Sequence, residues 1–309
     1  MTELSEPDVK HTPISVFKAM IRQLRPKQWT KNVLLFVAVV FSGRFTDPEY
    51  IVLAIMGFVA FCMVSSSGYI FNDYLDREAD RRHPKKRFRP IASGALPVPM
   101  ALLLMLVALT VGLGIGWSLG PLFLLVTLAY LATTLSYSFY FKHIVILDVM
   151  FIALGFVWRA IAGALAIRVQ VSVWLFLITA FLALFIGFNK RRAELEQLGA
   201  SGGTRKNLAE YSPRIIDQFQ GILTANVILG YALYCALGPT PWMLVTIPHA
   251  LYGVFRYIYL VEMCGEGAAP DETLLKDRPM QFAVLFYVVT VMAVLLMADA
   301  NLLPEFPSD

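Results

Sequence analysis

Long apolar runs separated by short charged segments set the pattern of this chain. Stretches long enough to cross a bilayer recur at 50–72, 95–118, 121–141, 145–167, 171–190, 214–237, 240–262 and 279–300, and a shorter one lies at 30–44. The runs predict nine membrane helices, or eight if the short first run does not cross. Pro121, Gly238, Pro239 and Pro241 mark tight turns between spans. Upstream, 14–24 is amphipathic: Val16, Phe17, Met20, Ile21 and Leu24 fall near one face, with Lys18 and Arg22 elsewhere. That pattern suits an interfacial helix lying at the membrane surface. Residues 1–13 are polar, lack an apolar leader region and read as a disordered tail.

Composition supports the same class. The 309 residues are 58% hydrophobic and only 16% charged, against roughly a quarter charged in an ordinary soluble domain. A soluble protein with a greasy core is thereby disfavoured, and an all-α polytopic membrane bundle is predicted. The charges that remain are distributed unevenly. Arg22, Arg25, Lys27 and Lys31 precede the first span, Arg77 to Arg89 crowd the loop after the second, and Lys190 to Arg214 follow the sixth. All three segments fall on one side of a nine-span topology. The positive-inside rule makes that side cytoplasmic, with the C-terminus outside. Cys62, Cys235 and Cys264 show neither disulfide nor metal-ligand spacing, and the four histidines are dispersed, which argues against zinc.

The sharpest local signal is Asn72-Asp73-Tyr74-Leu75-Asp76-Arg77-Glu78-Ala79-Asp80. On a continuous helix Asn72 and Asp76 are four apart, and Asp73, Asp76 and Asp80 share one face. Three like charges on one face repel, and a hard divalent cation would remove that repulsion. Magnesium takes one or two carboxylates together with substrate phosphate oxygens, so Mg2+ on Asp73, Asp76 and Asp80 is the expected metal site. The alternative is an acidic face paired with Arg77 and Arg81. The basic run that follows, with Lys86 and Arg87, reads either as a positive-inside anchor or as a clamp on phosphate. Lys190, Arg191 and Glu194 lie in the third basic loop, where Glu194 would reach a second metal or simply face water. Arg159 lies inside an apolar span and should face the bundle interior. There it meets either an anion or a structural partner, with Asp148 and Lys142 as neighbours.

These residues resemble a known family. The NDxxDxxxD pattern from Asn72 to Asp80 is similar to that of the UbiA-type intramembrane prenyltransferases. That resemblance implies a nine-helix bundle, here a single domain over 25–303, with aspartates binding magnesium-diphosphate beneath cytoplasmic loops. The strings LRPKQWTKN (24–32), NDYLDREADRRHPKKRFRPIASG (72–94), YSFYFKH (137–143) with Asp148, GFVWRAIAGA (155–164) and KRRAEL (190–195) look like one branch of it, the decaprenyl-phosphate phosphoribosyltransferases. A second aspartate-rich DxxxD after the sixth helix, present in most of the superfamily, is replaced here by Asn189-Lys190-Arg191-Arg192-Ala193-Glu194.

The branch implies transfer of phosphoribose from phosphoribosyl diphosphate (PRPP) to a polyprenyl phosphate in a bacterial plasma membrane, for arabinan precursors of the cell wall. By the resemblance, Asp73, Asp76 and Asp80 hold magnesium, and Arg87 joins them in catalysis. The expected substrate-binding set is Lys27, Lys31, Asn32, Asn72, Lys86, Tyr137, Lys142, Asp148, Arg159, Lys190, Arg191 and Glu194. Expected partners are the two substrates and membrane lipids, with a homo-oligomer open and no nucleic acid. The rivals are a conventional prenyltransferase acting on an aromatic acceptor and, in another class, a transporter of phosphorylated metabolites. Transporters bind near the midplane on broken helices, whereas nearly all charge here sits at one rim.

Overall fold

The computed structural model describes residues 13–84, 86–198, 208, 210–265, 273 and 276–304. Nearly all of the tail predicted over 1–13 lies outside them. The chain opens with α1 (Pro13–Leu24), then a 3-10 stretch, Pro26–Phe36, that runs into the short α2 (Val37–Phe41). There follow α3 (Pro48–Leu75), α4 (Arg77–Arg82), α5 (Val98–Leu119), α6 (Pro121–Phe139), α7 (Leu147–Ala166), α8 (Val173–Leu198), α9 (Pro213–Leu237), α10 (Ile247–Cys264) and α11 (Arg278–Asp299). Among the described residues there is no strand. Eight helices are long and apolar enough to cross a membrane, α10 together with its 3-10 lead-in Pro241–Thr246. Their outward faces carry Leu103, Leu106 and Leu229, each more than half exposed, as side chains that meet acyl chains rather than water. The chain is a multi-pass membrane protein.

The predicted first span forms in an unexpected way. At about 2.0 Å rise per residue in the 3-10 stretch and about 1.5 Å in α2, Pro26–Phe41 reaches roughly 30 Å, the apolar thickness of a bilayer. It runs antiparallel to α3. Trp29 Nε1 donates to Ser66 Oγ (3.1 Å), Asn32 Nδ2 reaches Ser65 Oγ and Cys62 Sγ (both 3.3 Å), and at the far end Arg44 lies over the Tyr50 ring. Among the described residues, eight long helices and this irregular segment are long enough for nine crossings.

A 3-10 run of 11 residues is long for that geometry, and tertiary contacts hold it. The period of three turns Asn32, Leu35 and Ala38 inward, all buried. Leu35 packs against Phe61, Phe123, Ala162 and Ala166. Gly163 of α7 lies so close that a Cβ there would stand 2.3 Å from the Leu35 carbonyl oxygen. The Gly112–Gly116 pattern of α5 has a similar use: a Cβ on Gly112 would meet the Ala60 carbonyl oxygen of α3 at 2.9 Å.

Arg159 completes the anchorage of this span. It is 5% exposed, and its Nε donates to Asn32 Oδ1 (2.7 Å), Nη1 to Gly155 O (2.8 Å) and Nη2 to the Tyr130 hydroxyl (2.8 Å). The predicted association with Asp148 and Lys142 is corrected. Asp148 lies eleven residues earlier on α7, about 16 Å along the axis, and makes its contacts elsewhere.

Candidate active site at the basic rim

The basic segments gather where α3, α6 and α8 end and α5, α7 and α9 begin. The NDxxDxxxD string does not form one unbroken helical face. α3 ends at Leu75, Asp76 leaves helical geometry (φ −87, ψ 5), and α4 starts afresh at Arg77. The break turns Asp73 and Asp80 inward, 2% and 3% exposed, and leaves the Asp76 side chain 37% exposed. The shared face expected from periodicity is corrected for Asp76 alone, which is set apart while Asp73 and Asp80 keep a common partner in Arg89.

Arg89 joins the two buried aspartates, its Nη1 lying 2.9 Å from Asp73 Oδ1 and 2.6 Å from Asp80 Oδ2. Asp73 also receives Arg25 Nη2 on both oxygens (2.6 and 2.7 Å) and Gln23 Nε2 (2.9 Å). Arg25 makes this reach from a left-handed backbone (φ 54) that ends α1, with Pro26 opening the 3-10 stretch. A non-glycine residue held there is strained, and such strain clusters at functional sites. Asp76 faces the other way, accepting from Asn72 Nδ2 (3.2 Å) with Lys142 Nζ 3.6 Å off.

A second charged cluster joins the beginning of α7 to the end of α8. Asp148, fully buried, forms an ion pair with Arg191 Nε (2.8 Å), and Arg191 in turn binds Glu194. Tyr211 donates to Asp148 Oδ1 (2.7 Å) and accepts the amide of Ile146 (2.6 Å), a branched residue at φ 70. Burial, and then the bond to Asp148, pushes the Tyr211 hydroxyl above the usual phenol range, so it stays a donor. Tyr137 lies within electrostatic range of Arg191. Glu194, expected either to reach a second metal or to face water, is paired with Arg191.

The remaining predicted residues fall around these clusters. Lys86 and Arg87 are exposed, and Arg87 lies over the Phe88 ring. Lys190 is exposed on α8, Lys31 is half-buried, and Lys27 points outward. In an α-helix Lys27 and Lys31 would share a face, but the 3-10 pitch parts them. Arg89, Gln23 and Tyr211 were absent from the expected set. Nothing in the basic run distinguishes Arg89 from Arg87, and Tyr211 is distant in sequence from the turn it holds. Arg25, expected with Lys27 and Lys31 to grip a phosphate, is held on Asp73.

Among the described residues no three His, Cys, Asp or Glu side chains stand together as a ready-made metal cage. The donor chemistry still fits magnesium. Asp73, Asp76 and Asp80 offer only hard oxygen, Asp76 is half-open, and magnesium uses few protein carboxylates when phosphate supplies the rest.

Residues 33–269 match the model of the UbiA prenyltransferase family. The chain belongs to that family. It is 37% identical to a decaprenyl-phosphate phosphoribosyltransferase of Corynebacterium glutamicum over 96% of this chain and 92% of the relative. An enzyme of the same name from Mycobacterium tuberculosis is 33% identical over 93% and 98%. Among solved structures, a UbiA homolog from Archaeoglobus fulgidus bound to GPP and Mg2+ superposes with a TM-score of 0.71 over 90% of this chain and 99% of that one, at 19% identity. The helical bundle thus shares the fold of that homolog.

Proposed function

We propose that this UbiA-family member transfers 5-phosphoribose from PRPP to a polyprenyl phosphate and releases diphosphate, at the cytoplasmic face of a bacterial plasma membrane. The observation that carries the reading is the neutralised end of α8. Arg191 is tied to Asp148 and Glu194, so the position where a conventional prenyltransferase of this family would hold a second acidic pair is basic and self-paired. The likeness to two enzymes named for phosphoribosyl transfer, at 37% and 33% identity, supports the same choice.

Asp73, Asp76 and Asp80 are the residues that would hold magnesium, which when bound absorbs the charge developing on the leaving diphosphate. Arg25 and Arg89 sit on buried carboxylates but are themselves about a quarter exposed. They are donors that a diphosphate can recruit without any new charge being brought into the protein. Lys142 beside Asp76, with exposed Lys86, Arg87 and Lys190, adds cations for the 5-phosphate and the acceptor. The acceptor phosphate is already anionic at neutral pH, so no general base is needed. Catalysis then consists of positioning and charge stabilisation.

The test uses purified protein in detergent with magnesium, polyprenyl phosphate and PRPP labelled on the ribose. Label extractable into organic solvent, and its loss with EDTA, is the expected result. Consumption of a prenyl diphosphate with an aromatic acceptor, and no movement of the ribose label, would overturn the proposal.

A further inference from the structure

Helix α1 divides into three longitudinal sectors. Val16, Ala19 and Gln23 are buried, with Met20 beside them, against Ile70 of α3, Ile91, Leu96 and Ala101 of α5. Phe17 and Ile21, one turn apart, are 62% and 45% exposed. Lys18 and Arg22, also one turn apart, are exposed on a third side. At 3.6 residues per turn the three sectors lie roughly 120° from one another. A helix beside the basic ends of α3 and α5 thus presents one side to protein, one to apolar medium and one to anions. The protein side does more than pack. Gln23 is 1% exposed and donates to Asp73 Oδ2, and the turn that closes α1 places Arg25 on the same carboxylate.

We propose that α1 is a docking element for an anionic bilayer surface and that its seating on that surface sets the position of Asp73. Phe17 and Ile21 enter the acyl boundary while Lys18 and Arg22 bind headgroup phosphates, the pairing of apolar depth and positive charge that holds interfacial helices. Gln23 and Arg25 then carry the seating to Asp73, which accepts four hydrogen bonds at the rim. For its effect on turnover this rests on the transferase reading above, but the docking itself does not.

Two measurements on the full chain in vesicles test it. The first is backbone hydrogen exchange over 13–24, compared between phosphatidylcholine alone and phosphatidylcholine with about a third phosphatidylglycerol. Anionic lipid should slow exchange in α1 by about tenfold, and equal exchange in the two lipids would overturn docking whatever the enzyme's activity. The second is formation of lipid-linked label in the same vesicles, for the wild type and for Lys18→Gln/Arg22→Gln. Wild-type turnover should rise severalfold with anionic lipid, and the double variant should lose most of that rise while keeping its turnover in neutral vesicles. An equal rise in the variant would remove the coupling to Asp73, because the lipid would then be acting on substrate alone. Absence of lipid-linked label from every vesicle, with α1 still protected by anionic lipid, would count against the phosphoribosyl reading and leave docking in place.

Discussion

Two arginine–carboxylate clusters sit at the same rim and differ in how far they are sealed. In the cluster of α7 and α8, Arg191 and Asp148 are 2% and 0% exposed, and Tyr211 covers the remaining carboxylate oxygen. In the cluster of α3 and α4, Asp73 and Asp80 are equally buried, but Arg25 and Arg89 are 25% and 26% exposed. A sealed pair cannot exchange partners without leaving a charge uncompensated in a low dielectric. A pair open on its cationic side can offer its arginines to an incoming phosphate. Similar residues are thus sealed in one place and left open in the other, and mutation should separate rate from stability along that line.

The largest effect expected is on rate alone. Asp73→Asn should lower phosphoribosyl transfer by about a thousandfold, with insertion and thermal unfolding in detergent close to wild type. A variant that unfolds instead would make the open cluster a brace like the other. Removing magnesium with EDTA should likewise stop turnover while leaving the melting temperature in place, and an equal fall in both would show the metal to be structural.

Asp148→Ala should do the opposite. It leaves Arg191 buried with only Glu194 as counter-charge, and breaking a buried pair costs about 3–5 kcal/mol. Denaturant unfolding of the detergent-solubilised protein should show that loss, and a fully stable variant with low kcat would move Asp148 into the chemistry. Tyr211→Phe removes one donor to Asp148 and one acceptor for the strained Ile146 amide, at about 1–3 kcal/mol. Local hydrogen exchange at 146–148 should rise before global unfolding does.

The smallest effect concerns a third pair away from both clusters. Arg256 hydrogen-bonds Asp277, the N-cap of α11, and holds its carboxyl below the ordinary value of 3.8. A depressed folded pKa contributes stability that is present above the unfolded value and lost as pH falls through the folded one. Asp277→Asn should therefore flatten the acid limb of stability only below about that ordinary carboxylate value, and an unchanged limb would remove the pair from the stability of α11.

How much of this was legible in sequence varies with the range of the physics involved. Seven of the eight long spans fall within three residues of their predicted bounds, and α8 runs past its predicted end into the charged segment, because apolar length against bilayer thickness is a local requirement that fixes the apolar part of each segment alone. The charged rim was equally readable, since lysine and arginine are costly in hydrocarbon unless partners meet them inside, as they do Arg159. The aspartates of the 72–80 string were identifiable as charges that need a partner. Their partners were not, because Arg25 lies 48 residues from Asp73 and Arg89 is chemically identical to Arg87 beside it.

The tertiary structure decided what proximity alone can decide. Periodicity placed Asp73, Asp76 and Asp80 on one face, whereas the turn at Asp76 sets that residue apart and leaves Asp73 and Asp80 sharing Arg89, since a buried carboxylate needs a cation. Propensity gives no reason for an 11-residue 3-10 run, and it persists because Arg159, Ser65, Ser66 and the absent side chain of Gly163 hold it against α3 and α7. The sequence by itself determined which segments enter the membrane and which rim is charged, through transfer free energies that act residue by residue. Which charge meets which, and hence which cluster stays open to a substrate, came from packing between helices far apart in the chain.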